Sequence, residues 1–463
     1  MRKILAALVT AVLLAALPGC SGDGPDYTWL RSIHAVPDAP NIRVNFDDFV
    51  FQENIAFGAT TLERIQSLLK ENGDSARFTA EFISANGSTG GVLATLDVPV
   101  AQDTISTVVL AGRFDEVQPV VVVTPRRPRP LSSLYFQFAH AAAAIDAVDI
   151  YVTQPDVELS ATAPLASVDP LDHSPSLEVP FGATRIRLTV AGTLDVIYDS
   201  GELQFDESTL SSGPGVEWLF VVSESVVAGP SPVFLLGDTG LGSVTLLDEG
   251  TPATTRAIHA IPGLGAADLE ALTEPPETLV EGLQYAQRSA QVVAPVGEYA
   301  LAFRALEAPE EPLASIPVVA ARGQESLAVL FAGETGETIL LTSTAARSVA
   351  SQGRLRFAHL APDGDLVSVY LATSADEPLS SANRILFNRP PGSLIGHLAF
   401  DPGTYFVSLT TRPADDPNDP TDPVLLGPLE LELASGDVIT LALFASEVEG
   451  EPETLQVFDD TLP

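Results

Sequence analysis

The sequence predicts an all-β protein built from four tandem β-sandwich domains, immunoglobulin-like in architecture. Two observations carry that reading. The first is a phrase that occurs four times: Leu-Arg-Ser-Ile-His-Ala at Leu30–Ala35, Phe-Gln-Phe-Ala-His-Ala at Phe136–Ala141, Thr-Arg-Ala-Ile-His-Ala at Thr255–Ala260, and Leu-Arg-Phe-Ala-His-Leu at Leu355–Leu360. Its histidines, His34, His140, His259 and His359, lie 106, 119 and 100 residues apart. Solenoid units repeat at about 20–50 residues, so each repeat here is a whole domain. The second observation is a period-two alternation after each histidine. Ile42, Val44 and Phe46, then Val148, Ile150 and Val152, then Ala267, Leu269 and Ala271, then Val367, Val369 and Leu371 are apolar at matching offsets. Polar residues or tyrosines stand between most of them, as in a strand with one buried and one wet face.

From the N-terminus, Arg2-Lys3 precedes an apolar run, Ile4–Leu17, that is too short to span a bilayer comfortably and fits the core of a signal peptide. Leu17-Pro18-Gly19-Cys20 follows, and Cys20 is the only cysteine of the chain. The pattern resembles a bacterial lipoprotein signal. That resemblance implies cleavage after residue 19, acylation of Cys20 and a short tether over residues 20–27. Ser21 after the cysteine points to the outer membrane of a Gram-negative cell. An ordinary secretory signal with an incidental cysteine is the plainer alternative. Several acyl chains anchor stably where one does not.

The domains are expected at 28–124, 131–247, 254–343 and 353–463. Each opens with a strand ending at its histidine. Polar residues at the third position before it, Arg31, Gln137, Arg256 and Arg356, mark the face opposite the histidine. Pro37, Pro262 and Pro362 then fix a turn in three repeats, with Asp38 and Asp363 following in two. The alternating strand comes next. Repeat one also has a candidate short helix over Ala59–Lys70. Mid-domain glycines open further strands, as in Gly297–Leu301 and Gly403–Val407. Strongly apolar strands at Thr107–Leu110, Trp218–Val222, Leu327–Phe331 and Ile439–Phe444 follow. Closing strands stand at Val120–Val123, Val233–Leu236, Ile339–Leu341 and Leu455–Phe458. Six to eight strands in about 100 residues, with Gly/Pro turns, is the pattern of a sandwich. The joints are Pro125–Pro130, which is the only basic cluster after the signal, then Asp248–Thr255 and Ser343–Gly353. Proline makes the first joint stiff. It is either a rigid linker or a docking point for an acidic partner.

The phrase Leu30-Arg31-Ser32-Ile33-His34-Ala35-Val36-Pro37-Asp38-Ala39-Pro40 resembles the opening of a bacterial family known as domain of unknown function 4397. Asp401-Pro402-Gly403-Thr404-Tyr405 and Pro295-Val296-Gly297-Glu298-Tyr299 resemble its mid-domain turn. Repeat two departs from the pattern, with Ala141–Ala144 in place of the proline turn. The resemblance implies the fold and an exported or lipid-anchored location, often in tandem copies. It brings no activity and no catalytic residues.

A net charge of −38, with lysine only at Lys3 and Lys70, excludes nucleic acid as an obvious partner. A single cysteine excludes disulfides within the chain and cysteine-based metal sites. Sequence motifs of serine hydrolases, zinc proteases, P-loop enzymes and kinases are missing. The adjacent pairs Asp47-Asp48 and Glu310-Glu311 would point to opposite faces of a strand. The four histidines could pair with Asp38 and Asp363 as acid–base or metal groups. But one histidine and one carboxylate fall short of a ligand set, so they read as core residues that bond the turn after them, with no metal site. The loop Pro413–Pro423 is rich in oxygen ligands. Calcium is the one cofactor it could accept, although its prolines and missing glycine rule out an EF-hand register. The expected function is non-catalytic: an envelope binding or spacer module held by its lipid anchor, with an envelope protein or polysaccharide as partner. End to end, four domains would reach roughly 150 Å. An adhesin using wet-face aromatics such as Tyr151 and Tyr370 is one alternative. An envelope enzyme with a carboxylate-lined cleft shared between domains is the other.

Overall fold

A computed structural model describes residues 27–461 apart from 48, 62–63, 68–73, 128–132, 206–216, 240–241, 309, 344–346, 413–422 and 449. Cys20, the tether and nearly all of the acidic loop at 413–423 lie outside the described residues. The chain is essentially all β, and each repeat is a sandwich of two sheets.

All four repeats share one topology. In repeat one the histidine strand Tyr27–His34 lies between an edge strand, Arg64–Ser67, and a parallel partner, Thr104–Arg113, which pairs with the closing strand Glu116–Pro125. The second sheet runs Phe49–Ile55, Ile42–Phe46, Ser75–Ile83, Thr89–Pro99. The same order returns in the other three repeats, and repeat two adds a fifth strand, Ser243–Leu246, to its histidine sheet. Repeat two therefore keeps the fold without the proline turn. Each histidine aligns with a residue of the parallel strand: His34 with Leu110, His140 with Val222, His259 with Leu330, and His359 with Leu443.

The described residues of 59–70 do not form the expected helix. Arg64–Ser67 is an antiparallel edge strand beside the histidine strand. The open backbone edge of that strand supplies hydrogen bonds that outweigh local helix propensity.

Each sandwich has its own core, led in repeat two by Phe136, Phe138, Ile150, Leu188, Tyr198 and Phe220. Two further clusters belong to no single repeat. Ile33, Ala35, Val109 and Val120 of repeat one pack on Ala139, Ala141, Leu219, Val221, Phe234 and Leu236 of repeat two. Ile258, Ala260, Leu327 and Val329 of repeat three pack on Ala358, Leu360, Ala442 and Phe444 of repeat four. The histidine sheets thus meet face to face within each pair. The face of each histidine strand that points away from its own core is dry, since the residues flanking every repeat histidine are Ile, Ala or Leu and all are buried. A strand apolar on both faces needs cover on both. Side-by-side pairing makes the end-to-end reach of four separate domains the wrong measure of this chain.

Candidate functional site

The repeat histidines sit where the turn after their strand returns. Nε2 of His34 bonds the Pro40 carbonyl at 2.9 Å, that of His140 the Asp146 carbonyl at 3.1 Å, and that of His259 the Gly265 carbonyl at 3.0 Å. His359 instead presents Nδ1 to the carbonyl of Arg389 at 3.0 Å. The backbone N–H groups of Val36 and Ile261 donate to Nδ1 of His34 and His259. Those two rings are therefore neutral, with the proton on Nε2. Asp38 does not join His34; its Oδ1 accepts the N–H of Phe114 at 2.9 Å. Among the described residues no group of three or more His, Cys, Asp or Glu could hold a metal ion.

Burial lowers the pKa of all four histidines, that of His34 to about 4. Above pH ~6.5 a histidine is neutral folded or unfolded, and its contribution to stability is fully present. Between about 6.5 and 4 the unfolded chain takes up a proton that folded His34 refuses, so stability falls with pH by up to about 1.4 kcal/mol per unit for this one group. Urea unfolding of wild type and His34→Gln from pH 7 to 4 checks this. The variant is expected to lose stability less steeply over that window, and equal slopes would refute the linkage.

The polar row opposite the histidines is buried between paired sheets. Arg31 Nη1 lies 3.1 Å from Asp238 Oδ2 of repeat two. Thr124 of repeat one donates to Gln137 Oε1 at 2.7 Å. Arg356 donates to Asp460 at 3.0 Å, and Arg288 of repeat three reaches the same carboxylate. An aromatic wedge recurs beside each network. Phe57 contacts His34 and Phe234 edge-on, and Tyr285 contacts His259 and Phe444 in the same way.

A cleft of about 350 Å³ opens where the pairs meet. Repeat one lines it with Pro37, Asp38 and Arg113, repeat two with Glu224–Ala228, repeat three with Gln291, and the joint before repeat four with Arg347 and Ser348. Arg113 and Glu224 form an ion pair. Gln291 is held from behind by Arg256 and Thr254. Arg347 donates to the Pro37 carbonyl and lies 4.9 Å over the ring of Phe57, while Ala350 N–H donates to the Asp38 carbonyl at 2.8 Å. Ser348 donates to the Gly436 carbonyl of repeat four at 2.8 Å. The joint thus ties the first repeat to the fourth. Burial, then the Arg354 guanidinium, pull the pKa of Arg347 down to about 10 against the opposing charge of Asp38.

No sequence motif marked this cleft, because its walls come from segments up to 311 positions apart. The one local signal was Asp38, in the turn after the first histidine.

Other expected features lie elsewhere. Tyr151 and Tyr370 are buried, 4% and 6% exposed, and form no aromatic binding face. In repeat two the connection after the alternating strand folds back over it: Arg187, which pairs with Tyr151 across the sheet, donates to the Val157 carbonyl at 2.6 Å. In repeat four Leu371 N–H donates to Asn383 O, returning the connection to the same strand. In the basic joint, Arg126 stacks over Trp29 and Arg127 over Tyr135, each at 3.8 Å, and Arg127 also faces Glu217 at 3.6 Å. Both arginines are folded onto the repeats they connect. Arg129 lies outside the described residues.

Comparison with known proteins adds a family. A model described as "Domain of unknown function (DUF4397)" matches residues 28–151 and 253–370, more than half of the chain. Each match runs through one repeat and on into the first strands of the next, so it spans sequence from both sides of a paired interface. No curated protein matches. Among solved structures, the Bacillus anthracis TIE protein is 11% identical, with 90% of this chain and 68% of that chain covered and a TM-score of 0.16. A product complex of the multi-modular glycogen-degrading pneumococcal virulence factor SpuA is 8% identical, with 87% and 38% covered and the same TM-score of 0.16.

Proposed function

The chain belongs to the DUF4397 family, and from that premise we propose a non-catalytic binding protein of the cell envelope, held there by a lipid on Cys20. The observation that carries the binding reading over a spacer is the junction cleft. A spacer gains reach by separating its domains, whereas here the sheets pair and the third joint is tied back to repeat one. That packing builds a concave, partly polar cavity between repeats, the usual setting for small ligands. The acidic surface supports an exported, soluble body.

The enzyme reading has one observation in its favour, since Asp38 and Glu224 line a shared cleft. Glu224 is neutralised by Arg113, and Asp38 is held by a backbone N–H. That leaves a poor pair for acid–base work. The adhesin reading loses its aromatics with Tyr151 and Tyr370 buried.

Metabolic labelling with an alkyne fatty acid in a Gram-negative host tests the anchor. Wild type is expected to carry the label and sediment with membranes, and Cys20→Ser to do neither. An unlabelled wild type would remove the lipid anchor from this reading.

A further inference from the structure

We propose, resting on the binding reading above, that the junction cleft takes a small zwitterion of amino-acid or dipeptide size, bearing one carboxylate and one ammonium group. The argument is a charge census of the cavity. Arg113 and Glu224 satisfy each other. Arg347 spends one N–H on the Pro37 carbonyl and rests on Phe57, and among the described residues it has no ion-pair partner. Asp38 spends Oδ1 on the Phe114 N–H, and its other carboxylate oxygen has no hydrogen-bond partner among the described residues. Asp38 lies near enough for its charge to act on Arg347, yet the two form no direct ion pair, so a cation and an anion face a single space of about 350 Å³ with room for a ligand between them.

A partly buried guanidinium with no carboxylate in direct contact is costly, and a ligand that supplies one relieves that cost. A simple anion would meet Arg347 but also the like charge of Asp38. A simple cation would meet the reverse. Only a dipolar ligand matches both, and the mismatch discriminates against the others. Among the described residues no aromatic ring lines the cavity for a sugar to stack on, and Pro37, Val226 and Val227 supply apolar wall for a small side chain.

Isothermal titration of the purified full-length chain tests this with glycine, alanine, glutamate and alanylalanine as probes. Acetate, ethylamine and glucose are the controls. At least one zwitterion is expected to bind saturably, and acetate and ethylamine at least about tenfold more weakly. Asp38→Asn keeps an acceptor for Phe114 and loses the charge, while Arg347→Gln removes the cation. Each is expected to weaken the zwitterion at least about tenfold. Unchanged melting of Asp38→Asn keeps that arm readable even if Arg347→Gln unfolds. Absence of zwitterion binding, binding indifferent to Asp38→Asn, or acetate binding as tightly would each overturn the proposal. Glucose binding that both variants abolish would overturn the ligand class and leave the binding reading standing. Loss of the lipid label would strike the envelope anchor and leave this site untouched.

Discussion

Asp460→Ala is expected to destabilise the pair formed by repeats three and four by about 3–5 kcal/mol, the range for stranding a buried charge. The Asp460 side chain is 1% exposed and accepts from Arg356 of its own repeat, Arg288 of repeat three and the hydroxyl of Thr440. Burial pulls the pKa of Arg356 down, and the Asp460 charge opposes that shift. Removing the carboxylate leaves Arg356, whose side chain is 4% exposed, without its counter-charge in a place that water does not reach. Arg288, 17% exposed, loses its carboxylate partner across the interface and keeps the Asp459 carbonyl and the Phe458 ring. Hydrogen exchange with mass spectrometry reads the effect locally. Protection is expected to fall in Gly353–Leu360 and Val438–Phe444 and to hold in repeats one and two. An Asp460→Ala chain as protected as wild type would show the network to be dispensable.

Ala139→Asp is expected to split repeat one from repeat two, at a cost above about 4 kcal/mol. Ala139 is fully buried among Ile33, Val109, Leu219 and Val221, and belongs to the cluster that joins the sheets. A carboxylate there has no partner, and aspartate is too short to reach water. Ala139 faces away from the sandwich core of its own repeat, so the damage falls first on the interface. The two tryptophans separate the outcomes. Trp218 stacks on Phe220 beside the core of repeat two, and Trp29 lies under Arg126 in repeat one. A larger radius of gyration with blue-shifted Trp218 emission means the sandwiches survive and only the pairing is lost. A red shift means that repeat two cannot stand without its partner. An unchanged radius would refute the interface as a structural joint.

Local chemistry made much of the fold readable. Recurring His-Ala and alternating apolar residues specify the same strands wherever they occur, because strand faces obey a period of two. All four repeats accordingly share one topology, including repeat two with its altered turn. The strands that meet in the paired interfaces carry Ile33 and Ala35, Ala139 and Ala141, Ile258 and Ala260, Ala358 and Leu360 opposite the histidine, but the chain does not say what covers them. Those residues break the alternation that a wet face would keep. The polar row at Arg31, Gln137, Arg256 and Arg356 masks that signal, since polar residues at fixed spacing look solvent-exposed until partners such as Asp238 and Asp460 are placed against them.

By itself, then, the sequence determined the all-β class, the four repeats and the place of each histidine strand. These follow from periodicity, spacing and composition, all of which are properties of neighbours along the chain. Tertiary structure alone decided that the repeats pair through their histidine sheets, that Tyr151 and Tyr370 are covered, and that 64–67 is a strand. It alone brought Asp38, Glu224, Gln291 and Arg347 around one cavity. The physical reason is range. Burial of a second face, the partner of an edge strand and the counter-charge of an arginine each depend on which distant surface arrives. No residue's neighbours in sequence carry that information.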